Sequence, residues 1–121
     1  MIIYTTYFNN LINLSDNIIP ISICLKPPYY WRGREYKKLA PKASFFSLYK
    51  STGDINYFTE EFNKQVLNQL NPVEVVSDLF KGIPNDCTIA LLCYERPNQF
   101  CHRQLVAKWL IDNGYKVLEY N

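Results

Sequence analysis

The chain predicts an α/β fold, a small Rossmann-like three-layer sandwich with a four-stranded, mainly parallel sheet in the order 2-1-3-4. Three observations predict it. Four short apolar runs, Ile2 to Thr5, Ile18 to Leu25, Ile89 to Cys93 and Tyr115 to Tyr120, read as strands. Stretches with helical spacing separate them. No repeat, linker or low-complexity segment divides residues 1–121, which read as one domain.

Taken in order, Ile2-Ile3-Tyr4-Thr5 is β-branched and aromatic, as a buried first strand requires. Phe8, Leu11, Ile12 and Leu14 predict a short helix. The second strand contains Pro20, which has no N–H for the ladder and so favours an edge or a strand start. Residues 26–43, KPPYYWRGREYKKLAPKA, hold no single period and read as a long loop, a feature that is usually functional. Asp54 predicts the N-cap of a helix reaching about Leu70, with Phe58, Phe62, Val66 and Leu70 on one stripe. Asn71-Pro72-Val73-Glu74 starts another, with Val73, Val76, Leu79 and Phe80 on its inner face. The last helix is expected to begin at Asn98 and to bury Leu105, Val106, Trp109 and Leu110, with Gly114 as its C′ glycine.

Composition narrows the class. At 48% hydrophobic and 16% aromatic residues, disorder is excluded. No apolar run nears the ~20 residues of a membrane span, and the start shows no export signal, so a cytoplasmic location is the default. The four cysteines, Cys24, Cys87, Cys93 and Cys101, read as reduced thiols. Cys87 and Cys93 bracket one strand and stand roughly 20 Å apart, too far to bridge. Residues 26–42 hold six bases and one acid, a net of +5, while the rest of the chain holds seven bases and ten acids. That asymmetry favours an anionic partner.

Chemistry gathers where the third strand ends and the last helix begins. With Asn98 as N-cap, Cys101 falls at the third helical position, where the helix dipole, His102 and Arg103 all favour a thiolate or a bound anion. Glu95 could orient His102, pair with Arg103 or act as a base. In bland terms, Cys93 is a packing residue at a strand end and Arg103 one half of a structural ion pair. Adjacent Cys101 and His102 point about 100° apart on a helix, which argues against a metal. From Cys93, Arg103 lies ten residues on across a glycine-free loop, unlike a compact phosphatase cradle. Neither metal nor cofactor is expected.

The segment LLCYERPNQFCHRQLVAKWL resembles the signature of the bacterial and phage family named domain of unknown function 488. Cys93, Glu95, Cys101, His102 and Arg103 match that pattern. Upstream, Ile21-Ser22-Ile23, Lys26-Pro27-Pro28, Gly33 and Leu39-Ala40-Pro41-Lys42 resemble a short, phage-type branch. The resemblance implies a Rossmann-like three-layer fold and no agreed reaction. It also implies an arginine soon after strand 2, a place that Arg32 or Arg34 would take.

The functional expectation is therefore an anionic small molecule, nucleotide- or phosphate-bearing, held at the carboxyl ends of strands 1 and 3, with turnover left open. Glu95, Cys101 and His102 are the candidate catalytic residues. Arg103, Cys93, Thr6, Trp31, Arg32 and Arg34 are the candidate ligand contacts. The alternative is an accessory factor without catalysis that binds single-stranded nucleic acid through the aromatic-basic loop, or binds a host protein. No membrane partner is expected, and the sequence assigns no oligomeric state.

Overall fold

The computed structural model describes residues 1–120. Five strands, β1 (Ile3–Tyr7), β2 (Ile18–Ser22), β3 (Arg34–Glu35), β4 (Thr88–Cys93) and β5 (Val117–Glu119), form one sheet. Their order is β3-β2-β4-β1-β5 and every pair is parallel. This corrects the expected four strands and the expected order. The run at residues 88–93 enters between β2 and β1 rather than outside β1. From Ile89 to Cys93 it is at most 1% exposed on both faces, which only a central strand with two long neighbours achieves. The additional strand, β3, is two residues from within the loop, laid beside Ile21 and Ser22.

Four helices complete the chain: α1 (Ala43–Thr52), α2 (Ile55–Gln65), α3 (Pro72–Phe80) and α4 (His102–Asp112). Handedness decides where they lie. The steps from β2 to β4 and from β4 to β5 run in one direction across the sheet, so right-handed crossovers place α1 to α4 on one face. There Ile3, Ile21, Ile89, Leu91 and Val117 share a core with Phe58, Phe62, Val75, Leu79, Val106 and Leu110. The step from β1 to β2 runs the other way and takes the opposite face. Its connection, Phe8–Asn13, is a 3₁₀ segment rather than the expected α-helix. The third layer is thus thin: Phe8 packs with Leu92 and Trp31, and Asn10 donates to Thr6 Oγ1 at 3.0 Å.

Local chemistry explains most helix limits. Asp54 Oδ1 accepts from Tyr57 N–H and caps α2, while Asn71 Oδ1 accepts from Val73 and Glu74 N–H and caps α3. Helix α2 stops at Gln65, and a 3₁₀ turn, Leu67–Gln69, replaces its expected last turn. In α3 the buried face is Val75, Val76 and Leu79, and Val73 is exposed. Gly114, at φ 94°, follows α4 in a backbone region costly for other residues. Pro20 also has a clear role. Odd-numbered residues of β2 face β4, as the bond from Ile23 N–H to Leu92 O shows. Pro20 therefore turns its missing donor to the other side, where β3 has not yet begun. Among the described residues, no helix is long and apolar enough to cross a membrane.

Candidate functional site

The site is built at the carboxyl ends of β2 and β4. There a cavity of about 630 Å³ is lined by Cys24, Leu25 and Lys26 beyond β2 and by Cys93, Tyr94 and Glu95 at and after β4. Helix α1 and the start of α4 close it, contributing Phe46, Tyr49, Lys50, Cys101 and His102, with Phe58 and Phe100 forming an aromatic wall. The expected crevice between strands 1 and 3 is not where this cavity lies: its lining comes from beyond β2 and from the end of β4, and no residue of β1 takes part. Tyr94 pins the β2 side by donating its hydroxyl to Lys26 O at 2.5 Å.

Helix α4 begins later than its sequence suggests. Cys101, not Asn98, is the N-cap, with extended backbone at φ −147°, ψ 149°. Gln104 holds that corner together. Its Oε1 accepts from Cys101 N–H at 3.4 Å and its Nε2 donates to Gln99 O at 2.9 Å. The residue 94–100 loop folds back in consequence, and Cys101 meets the end of β4. Cys93 and Cys101 are joined as a disulfide. The expectation of four reduced thiols is corrected for this pair: strand spacing separates Cys93 from Cys87 but not from Cys101, which the loop returns to the strand end. Cys24 and Cys87 are free. Burial pushes the Cys24 thiol up to about 12, so Cys24 is inert although it lines the cavity.

Arg103 sits beneath this floor, fully buried. Its Nε and Nη2 donate to the two oxygens of Glu119 at 3.1 and 2.9 Å, a bidentate pair across to β5. Thr5 Oγ1 donates to the same carboxylate at 2.7 Å. The remaining arm, Nη1, donates to Glu95 O at 2.6 Å and to Cys93 Sγ at 3.1 Å. The guanidinium thus has no free edge for a ligand in this state. Its acidic partner is Glu119, not the side chain of Glu95.

His102 is buried beside it. Its Nε2 lies 2.7 Å from Ile23 O, an atom that only accepts, so Nε2 carries the proton. Nδ1 is then the lone-pair nitrogen, 3.8 Å from Cys101 Sγ. Burial, opposed by the Ile23 bond and assisted by Arg103, lowers the ring's affinity for a second proton to a pKa of about 4. His102 is therefore neutral and holds no charge for an anion. The two sulfurs and one ring nitrogen of Cys93, Cys101 and His102 lie within 4.8 Å of one another. Reduced, they are the three side chains here that could hold a soft metal ion. The 100° argument against that set lapses because Cys101 precedes the helix.

Of the candidate residues, Cys93, Glu95, Cys101 and His102 share the cavity. The others do not line it. Thr6 is buried and donates to Tyr120 O at 2.9 Å. Trp31 crosses to the other face, edge-on to Phe8 at 5.5 Å. Arg32 donates to Tyr29 O, and Arg34 to Lys81 O. The 26–43 segment is not structureless either, since β3 and a 3₁₀ turn, Lys37–Leu39, lie inside it. Sequence reasoning missed Glu119, Gln104 and the aromatic side chains that α1 contributes, Phe46 and Tyr49. For Glu119 a signal existed: period two places it on the buried face of Val117.

A family profile described as "Active DUF488-N3 subclade" matches residues 13–114. The chain belongs to the DUF488 family. That match spans all of the cavity residues named above, whereas Thr5 and Glu119 lie outside it. No curated protein and no solved structure matches this DUF488 chain.

Proposed function

We propose that this DUF488 protein binds an anionic small molecule of nucleotide size in the β2–β4 cavity and, once the Cys93–Cys101 disulfide is reduced, presents Cys93 to it as a thiolate. One observation carries the reading: the charged donor Arg103 Nη1 reaches Cys93 Sγ at 3.1 Å from a position locked by Glu119. A cation donating to sulfur favours thiolate over thiol. The cavity volume is typical of ligand sites. Its apolar, aromatic wall suits a flat ring, and Lys26 and Lys50 supply positive charge near the rim. Glu95 is the acid or base within reach of a bound molecule.

The reading is tested by alkylating the reduced protein with iodoacetate and with iodoacetamide, followed by peptide mapping. Free thiols prefer the neutral reagent. Cys93 is expected to react ahead of Cys24 and Cys87, to prefer the anionic reagent, and to be protected by inorganic phosphate or nucleotides. If iodoacetamide is preferred at every cysteine, or if Cys87 reacts first, the proposal is wrong.

A further inference from the structure

We infer that Cys93 and Cys101 are a redox-active pair, in which Cys93 attacks a low-molecular-weight disulfide and Cys101 resolves the product. The inference rests on the thiolate reading of Cys93 and adds a second residue and a co-reactant. Three features separate this pair from a structural staple. It faces a cavity that small molecules can enter, with both sulfur-bearing residues in the lining. It closes a loop with a separation of only eight residues, within a fold that already has a full hydrophobic core.

The third feature is that each sulfur has its own chemical partner. Cys93 Sγ has the Arg103 guanidinium, which stabilises a thiolate whether it is attacking or leaving. Cys101 Sγ has the lone pair of His102 Nδ1, held in that tautomer by Ile23 O. The remaining cysteine of the cavity, Cys24, has neither. Its Sγ donates to Leu92 O at 3.7 Å. A pair that only braced the fold would need no cation beside one sulfur and no oriented lone pair beside the other.

The reaction balances as follows. The Cys93 thiolate attacks one sulfur of RS–SR, the S–S bond breaks, and RS⁻ leaves, giving a mixed disulfide on Cys93. Cys101 gives up its proton to solvent as it attacks Cys93 Sγ. The second RS⁻ leaves, and both RS⁻ are protonated by solvent. Two electrons pass from the protein dithiol to RS–SR, yielding two RSH and the Cys93–Cys101 disulfide. With Lys26 and Lys50 at the rim, the fitting substrates are disulfides that carry carboxylates.

The probe is oxidised glutathione, added to the reduced 121-residue chain, with acid quenching and intact-mass analysis over time. Wild type is expected to lose two hydrogens and to accumulate little mixed disulfide. Cys101→Ser is expected to accumulate one glutathione on Cys93, and Cys93→Ser to react at least tenfold more slowly. A wild-type protein that stops at the mixed disulfide, or a Cys93→Ser protein as fast as Cys101→Ser, would overturn the inference. Iodoacetate on Cys101→Ser separates the two proposals. Prompt labelling of Cys93 without wild-type disulfide formation sinks the redox inference alone, and no labelling sinks both. If either variant fails to fold, the wild-type time course with mapped alkylation of residual thiols still decides.

Discussion

The junction of β4 with α4 and the segment from Lys26 to Lys42 carry similar side chains, yet the fold treats them oppositely. At the junction, Cys93, Glu95, Cys101 and His102 converge on one cavity, with Arg103 buried under it. In the segment, the bases and aromatics largely satisfy the loop's own backbone. Trp31 Nε1 donates to Arg34 O, Arg32 to Tyr29 O, and Lys37 to Cys24 O. Even Gly33 serves that end, since a Cβ there would come within 2.4 Å of the Trp31 ring. Residue type therefore proposes chemistry, but burial with a convergent partner decides where it can occur.

The largest expected effect tests the buried side of this contrast. The sequence alone would treat Arg103 as a ligand contact whose removal spares the fold. The structure reverses that expectation. Arg103→Ala leaves the Glu119 carboxylate, itself 26% exposed, without its pair; breaking a fully buried pair costs about 3–5 kcal/mol, which sets the upper end here. Urea denaturation should show the variant mostly unfolded or close to it. A loss below about 1 kcal/mol, the range of exposed ion pairs, would place Arg103 among surface residues.

How much was legible follows from which signals the chain displays. Helices α2 and α3 announced themselves through Asp54 and Asn71, whose side chains do cap them. Helix α1 carries no such signal, because its N-cap, Lys42, makes no side-chain cap. The start of α4 was misread by three residues for a related reason. Asn98 is the better capping residue by type, but Cys101 holds the position because Gln104 ties the corner. Strand identity was readable from local runs, while strand order needed the long-range fact that residues 88–93 are buried on both faces. The disulfide was illegible because it depends on that same corner.

An intermediate effect concerns His102. The unfolded ring takes up a proton below about pH 6.5, whereas the folded ring resists until about pH 4. The unfolded chain therefore binds more protons in that window, and stability present above pH 6.5 is lost as pH falls. The full span corresponds to roughly 3 kcal/mol. Burial, Arg103 and the Ile23 carbonyl set the ring's affinity, and Cys101 is the thiol beside it. His102→Asn should remove most of this acid sensitivity, measured as the slope of stability against pH between 4 and 6.5. An unchanged slope would assign acid loss to other groups.

The smallest expected effect tests the exposed side. Tyr29 is 91% exposed, and Arg32 beside it is exposed and bonds only loop carbonyls. Neither lines the cavity. Removing exposed side chains of this kind changes stability by about 0.5 kcal/mol or less. The double variant Tyr29→Ala with Arg32→Ala should therefore melt like wild type and keep the same iodoacetate preference at Cys93. The same protein also examines the rival view of the loop as a reader of single strands. Stacking on an aromatic side chain is worth about 1–3 kcal/mol per base, and phosphate contacts by bases make binding fall steeply with salt. If wild type binds an oligonucleotide with such a salt slope and the double variant loses it, the loop is a second working surface. A cavity-centred protein instead shows weak, sequence-indifferent binding that the two substitutions leave almost unchanged.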